Sequence, residues 1–354
     1  MERRSFLKVA GGVAAGSAIS VEPAVATGKS TSIYTGEKVS GMPRRVLGRT
    51  GEKVSVVGFP GLALSHYDQH RCNASLRDAL YRGVNYYDVA PAYGRNGDCE
   101  IKMGIGLEGL DRSKIFLACK TKMRDKEGCR KELERSLKRL KTDHFDLYQL
   151  HHIRRPEEIE QVLGPNGAME TILKAKDEGK IRFIGFSAHT TKGALAAMKG
   201  FRFDTVMFPI NFVEYFRIGF GKPVLELAEE QGAAVLAIKP MSKGPWPEGM
   251  EQTRRWWYRA TETQDETNAA MRFTLSQKQV AAGIPPSFLD LLDKAIEAGR
   301  SYQPIADEET QALKKTAEDC LSLFKRQEEA VAHGGHLHEP YPDSPHECCP
   351  CAHA

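Results

Sequence analysis

Four titratable side chains of complementary chemistry stand at or just after the C-terminal ends of short apolar segments: Asp88, Tyr93, Lys120 and His151. A phenol is a poor acid, with a reference pKa of about 10, and a nearby ammonium group is expected to lower that pKa. A carboxylate behind the lysine would keep the amine charged, and a histidine beside the phenol would orient a carbonyl oxygen. The set suits protonation of a carbonyl oxygen as hydride reaches its carbon, a general-acid task worth ~10²–10⁴-fold. Because no side chain supplies hydride, the reaction needs a cofactor.

Each of these residues also has a structural interpretation. A tyrosine can lie at a rim, a lysine is usually a solvated charge, an aspartate after a strand often caps a helix, and a lone histidine is more often hydrogen-bonded than catalytic. Their placement at successive segment ends favours the catalytic interpretation.

The elements that must position these residues are eight short apolar segments separated by longer amphipathic stretches. The segments cover residues 54–58, 85–89, 115–119, 146–150, 183–187, 205–209, 233–238 and 280–284. One intervening stretch, 128–141, carries Leu133, Leu137 and Leu140 on one helical face. Eight β/α units predict an α/β fold, a closed (β/α)8 TIM barrel whose chemistry lies at the C-terminal ends of the strands. An open doubly wound sheet is the alternative, but no G-x-G-x-x-G follows the first segment.

Composition places the chain among folded proteins. It has 354 residues, of which 41% are hydrophobic and 27% charged, with a formal net charge of +4. No basic stripe indicates a nucleic-acid partner, and no apolar run is long enough to span a membrane after processing. We expect the barrel over residues 43–300, a C-terminal helical extension over 301–330, and a His/Cys-rich tail over 331–354.

The N-terminus reads as an export signal. Arg3 and Arg4 precede Phe-Leu-Lys and a mildly apolar run, and Ala24-Val25-Ala26 offers a small-x-small cleavage pattern. This resembles a twin-arginine signal peptide over residues 1–26, followed by a linker over 27–42. It predicts an exported, periplasmic bacterial protein that meets the twin-arginine export machinery with its cofactor already loaded. A basic terminus with a short helix is the alternative.

Several longer motifs resemble the aldo-keto reductase family in its own order, over residues 43–300. They are GVNYYDVAPAYG at 83–94, IFLACK at 115–120, SLKRLKTD running into DLYQLH at 136–151, GKIRFIGFS at 179–187 and RVLGRTG at 45–51. The resemblance implies that Tyr93 donates the proton, Lys120 and Asp88 tune it, and His151 positions the carbonyl. It implies that Ser187 touches the nicotinamide of NADP or NAD, and that the substrate is a small carbonyl or alcohol.

The cofactor motifs depart from the family pattern. Ala188 replaces the usual Asn after Ser187, and Met207 occupies the place of a usual Gln. After the eighth segment Ser287 is retained, but no Arg follows it and Asp290 carries the wrong sign for a phosphate. The departures weaken the case for NADP and leave NAD, or a rearranged site, open.

A different set of cofactor-binding residues is predicted after the seventh segment, in place of the missing arginine. Residues 239–244, KPMSKG, resemble the cofactor loop of a subgroup related to iron-sulfur aldo-keto reductases, which assigns Lys239, Pro240, Ser242 and Gly244 to the cofactor. Lys239, Lys243, Arg254 and Arg255 would gather around a pyrophosphate, with an aromatic ring from 256–258 on adenine. A solvated basic helix with tryptophans packed on the barrel is the alternative.

The tail lacks the repeated C-x2-C spacing of a ferredoxin-like cluster module. Its soft ligands instead suit Zn or Cu, and the predicted metal ligands are His346, Cys348, Cys349, Cys351 and His353. A disordered tail or a disulfide formed after export are the alternatives.

The leading functional hypothesis is an NAD(P)-dependent oxidoreductase that interconverts a carbonyl and an alcohol. A non-catalytic nucleotide-sensing or metal-binding module on the same barrel is the alternative.

Overall fold

The computed structural model describes residues 33–335, whose centre is an eight-stranded parallel sheet in sequential order. Its strands are β4 (Gly58–Pro60), β5 (Tyr86–Asp88), β6 (Phe116–Thr121), β7 (Phe145–Ile153), β8 (Ile181–Ala188), β9 (Thr205–Pro209), β10 (Ala234–Ile238) and β11 (Val280–Ile284). A bridge between Val57 and Gly283 joins the first strand to the last, where the Gly283 N–H donates to the Val56 carbonyl at 2.9 Å. The predicted (β/α)8 barrel is therefore confirmed.

Three antiparallel strands precede the barrel: β1 (Tyr34–Val39), β2 (Met42–Val46) and β3 (Lys53–Ser55). They cover the end of the barrel where β11 begins, because Arg45 donates to the Val280 carbonyl at 2.7 Å. Leu47 and Val54 are fully buried in the same apolar cluster as barrel residues such as Tyr86.

This sheet corrects two expectations. Residues 34–39, assigned to a linker, form β1, which pairs with β2. The predicted strand 54–58 is two strands, because the chain bends after Ser55, whose hydroxyl donates to the Val57 carbonyl at 2.7 Å. The first half pairs with β2 and the second half leads into β4.

Helices follow most barrel strands and surround the sheet. They are α1 (Gln69–Tyr81), α2 (Asp98–Gly106), α3 (Lys126–Leu140), α4 (Pro156–Leu163), α5 (Ala168–Asp177), α6 (Thr191–Gly200), α7 (Phe212–Ile218), α8 (Lys222–Gln231), α9 (Gln264–Leu275), α10 (Leu289–Arg300), α11 (Asp307–Glu318) and α12 (Lys325–Ala332). The predicted helix over 128–141 is α3. The Asp125 carboxylate caps it by accepting from the Gly128 N–H at 2.7 Å, and Leu133, Leu137 and Leu140 are its buried face.

The C-terminal extension consists of α11 and α12 and is fixed to the barrel by hydrogen bonds to the buried Glu214 and the half-buried Glu328. Glu214 at the start of α7 accepts from the Ser322 hydroxyl at 2.5 Å and the Leu323 N–H at 2.7 Å. Glu328 on α12 accepts from the Thr191 N–H at 2.8 Å. These contacts place the segment between the two helices against the barrel wall near β8, β9 and β10.

Gly244, in the loop after β10, lies close to the backbone of the C-terminal extension at Leu321. Its φ is +84°, and a Cβ added there would lie 2.1 Å from the Leu321 carbonyl oxygen. A glycine is therefore required for both its backbone conformation and the close contact.

Two expectations fall outside residues 33–335. The export signal lies before this range, and the candidate metal ligands lie after it: His346, Cys348, Cys349, Cys351 and His353. Within the described range, no helix has the length and apolar character needed to cross a membrane.

Candidate active site

A tight polar cluster lies at the C-terminal ends of β5 and β6. The Lys120 ammonium donates to Asp88 Oδ2 at 2.5 Å, to the Tyr93 hydroxyl at 3.1 Å and to the Val89 carbonyl at 3.3 Å. The Tyr93 hydroxyl lies 3.3 Å from the same Asp88 oxygen, to which it donates. Lys120 and Asp88 are buried, whereas Tyr93 is half-buried and lines an open pocket. The structure thus brings together the three residues that the sequence placed at successive strand ends.

The electrostatics of Tyr93 differ from the expectation. Burial, followed by the Asp88 carboxylate, raises the pKa of Tyr93 well above its usual value. Burial also raises the pKa of Asp88, although the charge and hydrogen bond of Lys120 oppose the change. The expected lowering of the tyrosine pKa is wrong for this arrangement, because burial disfavours the phenolate and the nearby Asp88 carboxylate adds to that effect. Tyr93 therefore holds its proton throughout the neutral range.

His151 lies beside the phenol. Its ring centroid is 5.7 Å from that of Tyr93, with the two rings nearly perpendicular, and its side chain is buried. The next residue, His152, has a φ of +62°, and its N–H donates to the Ser187 hydroxyl at 2.8 Å. This bond joins the ends of β7 and β8, so the position of His151 is fixed from the neighbouring strand.

One pocket at the barrel mouth contains Asp88, Tyr93 and His151. Its remaining walls are largely apolar and aromatic and include Pro60, Leu62, Met207, Ile238, Trp256, Trp257, Tyr258, Ile284, Pro285 and Pro286. The tryptophans and Tyr258 are buried, and Trp256 packs its ring 5.3 Å from that of Phe288. This placement agrees with the alternative in which the aromatic rings pack on the barrel. The same rings also form a wall of the pocket.

The structure separates the predicted cofactor residues into two groups. Ser187, Lys239 and Ser287 line the pocket. Pro240, Ser242 and Gly244 are not among its lining residues, and the buried Ser242 hydroxyl instead accepts from the Gly244 N–H at 3.2 Å. The last two therefore shape the loop after β10.

The structure gives other partners to Arg254 and Lys243, two of the four basic side chains predicted to bind a pyrophosphate. Arg254 makes two hydrogen bonds to Glu262, at 2.9 and 2.6 Å, and two to Asp290, at 3.2 and 3.0 Å. Lys243 pairs with Glu266 at 2.5 Å. These side chains neutralise carboxylates of their own loop and of α9 and α10, so neither is directed to the pocket. Asp290, which has the wrong sign for a phosphate, is the partner of Arg254.

Sequence reasoning missed His189, which follows the last residue of β8 and lines the pocket. Its Nε2 lies 3.3 Å from the Lys239 ammonium, and both side chains are buried. His189 could have been predicted from the sequence, because a polar residue directly after a barrel strand lies at the C-terminal end of the barrel, where active sites are found.

The reacting end of the pocket fits a nicotinamide nucleotide. Asp88 Oδ1 is buried and has no hydrogen-bond partner among the described residues, so it offers an acceptor for a hydroxyl group. The Ser187 side chain lies on the same pocket, whereas the neighbouring Met207 offers no amide. The described residues also hold no group of three or more His, Cys, Asp or Glu side chains that could bind a metal ion.

The fold and this site define an oxidoreductase barrel. Residues 59–314 match the Aldo/keto reductase family, and the chain belongs to that family.

Its relatives agree with this assignment. The chain is 26% identical over 321 residues to the uncharacterized oxidoreductase YqkF of Bacillus subtilis, covering 80% of this chain and 100% of that protein. It is 36% identical over 157 residues to L-galactose dehydrogenase of Arabidopsis thaliana, covering 40% of this chain and only 47% of that protein. Aldo-keto reductase AKR11C1 of Bacillus halodurans, in its holo form, superposes with a TM-score of 0.63 at 25% identity, over 78% of this chain and 96% of that chain.

Proposed function

We propose that the protein is an NAD(P)-dependent oxidoreductase that interconverts a carbonyl compound and an alcohol, with Tyr93 as the proton donor. The observation that carries the proposal is the contact of the Tyr93 hydroxyl with both Lys120 and Asp88 at the wall of an open pocket. A half-buried phenol that retains its proton and is hydrogen-bonded to an ammonium group is suited to general-acid catalysis.

In the direction of reduction, His151 and Tyr93 bind the carbonyl oxygen, and Tyr93 transfers its proton to that oxygen as negative charge develops there. Lys120 holds the phenol oxygen at 3.1 Å and stabilises the phenolate that remains. Asp88 fixes the lysine. In the direction of oxidation Tyr93 must be deprotonated to accept the proton of the alcohol, and its raised pKa disfavours that form at neutral pH.

The nicotinamide nucleotide supplies or accepts the hydride when bound. Ser187, Asp88 Oδ1 and Ser287 are the side chains that we assign to it, since all three residues lie on the pocket. The proposal covers both NAD and NADP, and it gives Arg254 no role in binding a phosphate, because Glu262 and Asp290 engage that side chain.

The test is Tyr93→Phe, which removes the transferable proton and keeps the ring. We expect kcat to fall by ~10²–10⁴-fold for reduction of a simple aldehyde. The dissociation constants of NADH and NADPH, measured by fluorescence titration, should stay within about threefold because the ring packing is retained. An exposed tyrosine, Tyr81, gives a matched control as Tyr81→Phe. Nucleotide binding without any Tyr93-dependent turnover would favour the non-catalytic module instead.

The motif around Arg3 and Arg4 supports a second part of the proposal, export by the twin-arginine route with the nucleotide already bound. Rapid loss of nucleotide from the exported protein on gel filtration would contradict it. Zn or Cu binding by the Cys/His tail likewise remains a proposal, to be tested by metal analysis of the full chain.

A further inference from the structure

We propose that Glu100 and Arg139, an ion pair behind the barrel wall, are positioning residues for the Tyr93 phenol. They would hold the phenol in contact with Lys120. Neither residue lines the pocket, so the ion pair would act on the reaction only through the place of the phenol. This inference rests on the proposed function, which it deepens by naming what sets the geometry of the proton donor.

The ion pair joins two helices. Glu100 lies in the first turn of α2, and its side chain is completely buried. Arg139, in the last turn of α3, donates from Nη1 to Glu100 Oε2 at 3.0 Å and is itself 24% exposed. A buried carboxylate that loses its cationic partner is strongly destabilising, so this contact constrains both helices. The start of α2 is therefore fixed to the end of α3.

The other oxygen of Glu100 contacts the strand that carries Lys120. Cys119 Sγ lies 3.6 Å from Glu100 Oε1, to which it donates. Burial, followed by the charge of Glu100, raises the pKa of the Cys119 thiol well above its usual value, so the thiol keeps the proton that it donates. Because successive side chains of a strand point to opposite faces, Cys119 faces the helices while Lys120 faces the polar cluster. Glu100 thus contacts β6 from behind.

The loop that carries Tyr93 meets the ion pair at its last residue. This loop covers residues 89–97, between β5 and α2, and ends at Gly97. The φ of Gly97 is +73°, and a Cβ added there would lie 2.3 Å from Arg139 Nη1 and 3.1 Å from Glu100 Oε2. The loop backbone therefore packs directly against both charged groups, with no room for a side chain between them.

The contact between Tyr93 and Lys120 joins two elements, since Tyr93 comes from the loop and Lys120 from β6. Their side-chain distance of 3.1 Å therefore depends on how the loop is placed on the strand. Glu100 contacts β6 through Cys119 and the loop at Gly97, so it sets that placement. A displacement of about 1 Å caused far from the chemistry can cost roughly 100-fold in rate. Loss of the ion pair should thus slow proton transfer and leave binding in the pocket intact.

The first test is Glu100→Gln, which has nearly the same shape but leaves Arg139 without a negative partner. We expect kcat for reduction of a simple aldehyde to fall by about 10- to 100-fold. KM for the aldehyde and the dissociation constants of NADH and NADPH should stay within about threefold, because the contacts that bind them are unchanged. Arg139→Gln should show the same loss, and Arg139→Lys should restore most of the activity, because one nitrogen makes the contact. An unchanged kcat in Glu100→Gln would overturn the proposal.

Asp146→Asn separates positioning from stability. Asp146 is a similarly buried carboxylate that pairs with Arg112 at 2.8 Å and with Arg182 at 2.6 Å. It lies at the start of β7, at the end of the barrel away from the polar cluster. Its replacement should lower the urea midpoint of unfolding as Glu100→Gln does, but it should leave kcat unchanged. A similar fall of kcat in both variants would reveal a general effect of stability and would contradict the positioning role.

A second test reaches the ion pair through the loop. Gly97→Ala would place a Cβ against Arg139 Nη1 and so displace the guanidinium. Gly109→Ala is a matched control, because Gly109 has a φ of +77° and nothing within 4 Å of an added Cβ. The two variants share the backbone strain, whereas only Gly97→Ala disturbs the ion pair. We expect kcat to be about tenfold lower in Gly97→Ala than in Gly109→Ala, and equal values would contradict the proposal.

A third measurement needs no turnover. With ¹³C at Cζ of the 11 tyrosines, NMR gives a signal for each phenol, and the Tyr93 signal is the one that Tyr93→Phe removes. Glu100→Gln should shift this signal and leave that of the exposed Tyr81 in place. Such a shift would uphold the positioning role even if no aldehyde were reduced, in which case the proposed function alone would fail. A Tyr93 signal that does not move would overturn the proposal.

Discussion

Lys120 Nζ lies 2.5 Å from Asp88 Oδ2, and the two side chains are 0% and 4% exposed. Removing two charges from water is costly, and their mutual attraction offsets that cost only while both are present. The pair therefore fixes the Tyr93 phenol and also makes the site sensitive to the loss of either partner.

Replacing one member of this pair should destabilise the protein. Lys120→Met leaves a buried carboxylate without its ammonium, and we expect the free energy of unfolding to fall by about 3–5 kcal/mol in urea at pH 7. The double variant Lys120→Met/Asp88→Asn should recover much of the loss, because no buried charge remains. Lys53→Met, which breaks an exposed pair with Glu37, should cost far less stability than Lys120→Met, because solvent screens the pair. Equal losses in the two lysine variants would contradict this account.

Glu214 should make stability depend on pH. Its carboxyl has a pKa of about 7 in the folded protein, raised chiefly by burial, against 4.5 for an ordinary glutamate. The folded state therefore binds an extra proton between these values, so the contribution of Glu214 to stability falls as pH rises from about 4.5 to 7 and is constant above about 8. We expect a fall of about 1–3 kcal/mol.

The measurement is urea unfolding of wild type and Glu214→Gln across this range, with the exposed Glu226→Gln on α8 as the control. The difference between wild type and Glu214→Gln should change with pH, whereas the difference for Glu226→Gln should not. A difference that is the same at pH 5 and pH 8 would show that Glu214 titrates normally.

Gly244→Ala should loosen the C-terminal extension. The new Cβ would lie 2.1 Å from the Leu321 carbonyl oxygen, and the φ of +84° disfavours alanine. We expect a loss of about 2–4 kcal/mol and faster amide exchange in α12. Gly249→Ala is a close control, since Gly249 has a φ of +75° but nothing within 4 Å of its added Cβ. It should show only the backbone cost of about 1–2 kcal/mol, with α12 protected as before.

Arg254 should hold the tryptophan-containing loop against α10. Arg254→Gln leaves the Glu262 and Asp290 carboxylates without their shared partner. We expect faster limited proteolysis between residues 246 and 262, a shift in tryptophan emission, and a stability loss of about 1 kcal/mol, since Asp290 is half exposed. Arg254→Lys should restore little, because an ammonium cannot form both forked contacts. Unchanged emission and proteolysis in Arg254→Gln would show that other contacts hold the loop.

The sequence was sufficient for most of the barrel because its strands are buried on both faces. Apolar runs at 205–209 and 280–284 coincide with β9 and β11, and their positions follow from local pattern alone. The apolar run at 54–58 did not predict the two strands that the structure shows there. The bend after Ser55 divides it into β3 and β4, and these strands pair with different partners, β2 and β5, which a local apolar pattern does not reveal.

The candidate site likewise has features that the sequence predicts and features that it does not. Asp88, Lys120 and His151 were predictable because strand ends meet at one mouth of a barrel. The pairing of Arg254 was not, since its partners Glu262 and Asp290 come from a long loop and a separate helix. The direction of the pKa shift of Tyr93 was wrong for a related reason, because the burial that raises this pKa depends on the packing of the folded barrel.

The bridge between the first and last barrel strands can form only after β11 has been synthesised. The last barrel strand closes onto the first, and Arg45 near the N-terminus binds Val280 at the start of that strand. A nascent chain on the ribosome therefore exposes two unpaired sheet edges until residue 284 has left the exit tunnel. Such edges recruit other strands and invite aggregation. A chain truncated before β11 should therefore be insoluble or rapidly degraded, although it still contains Asp88, Tyr93, Lys120 and His151.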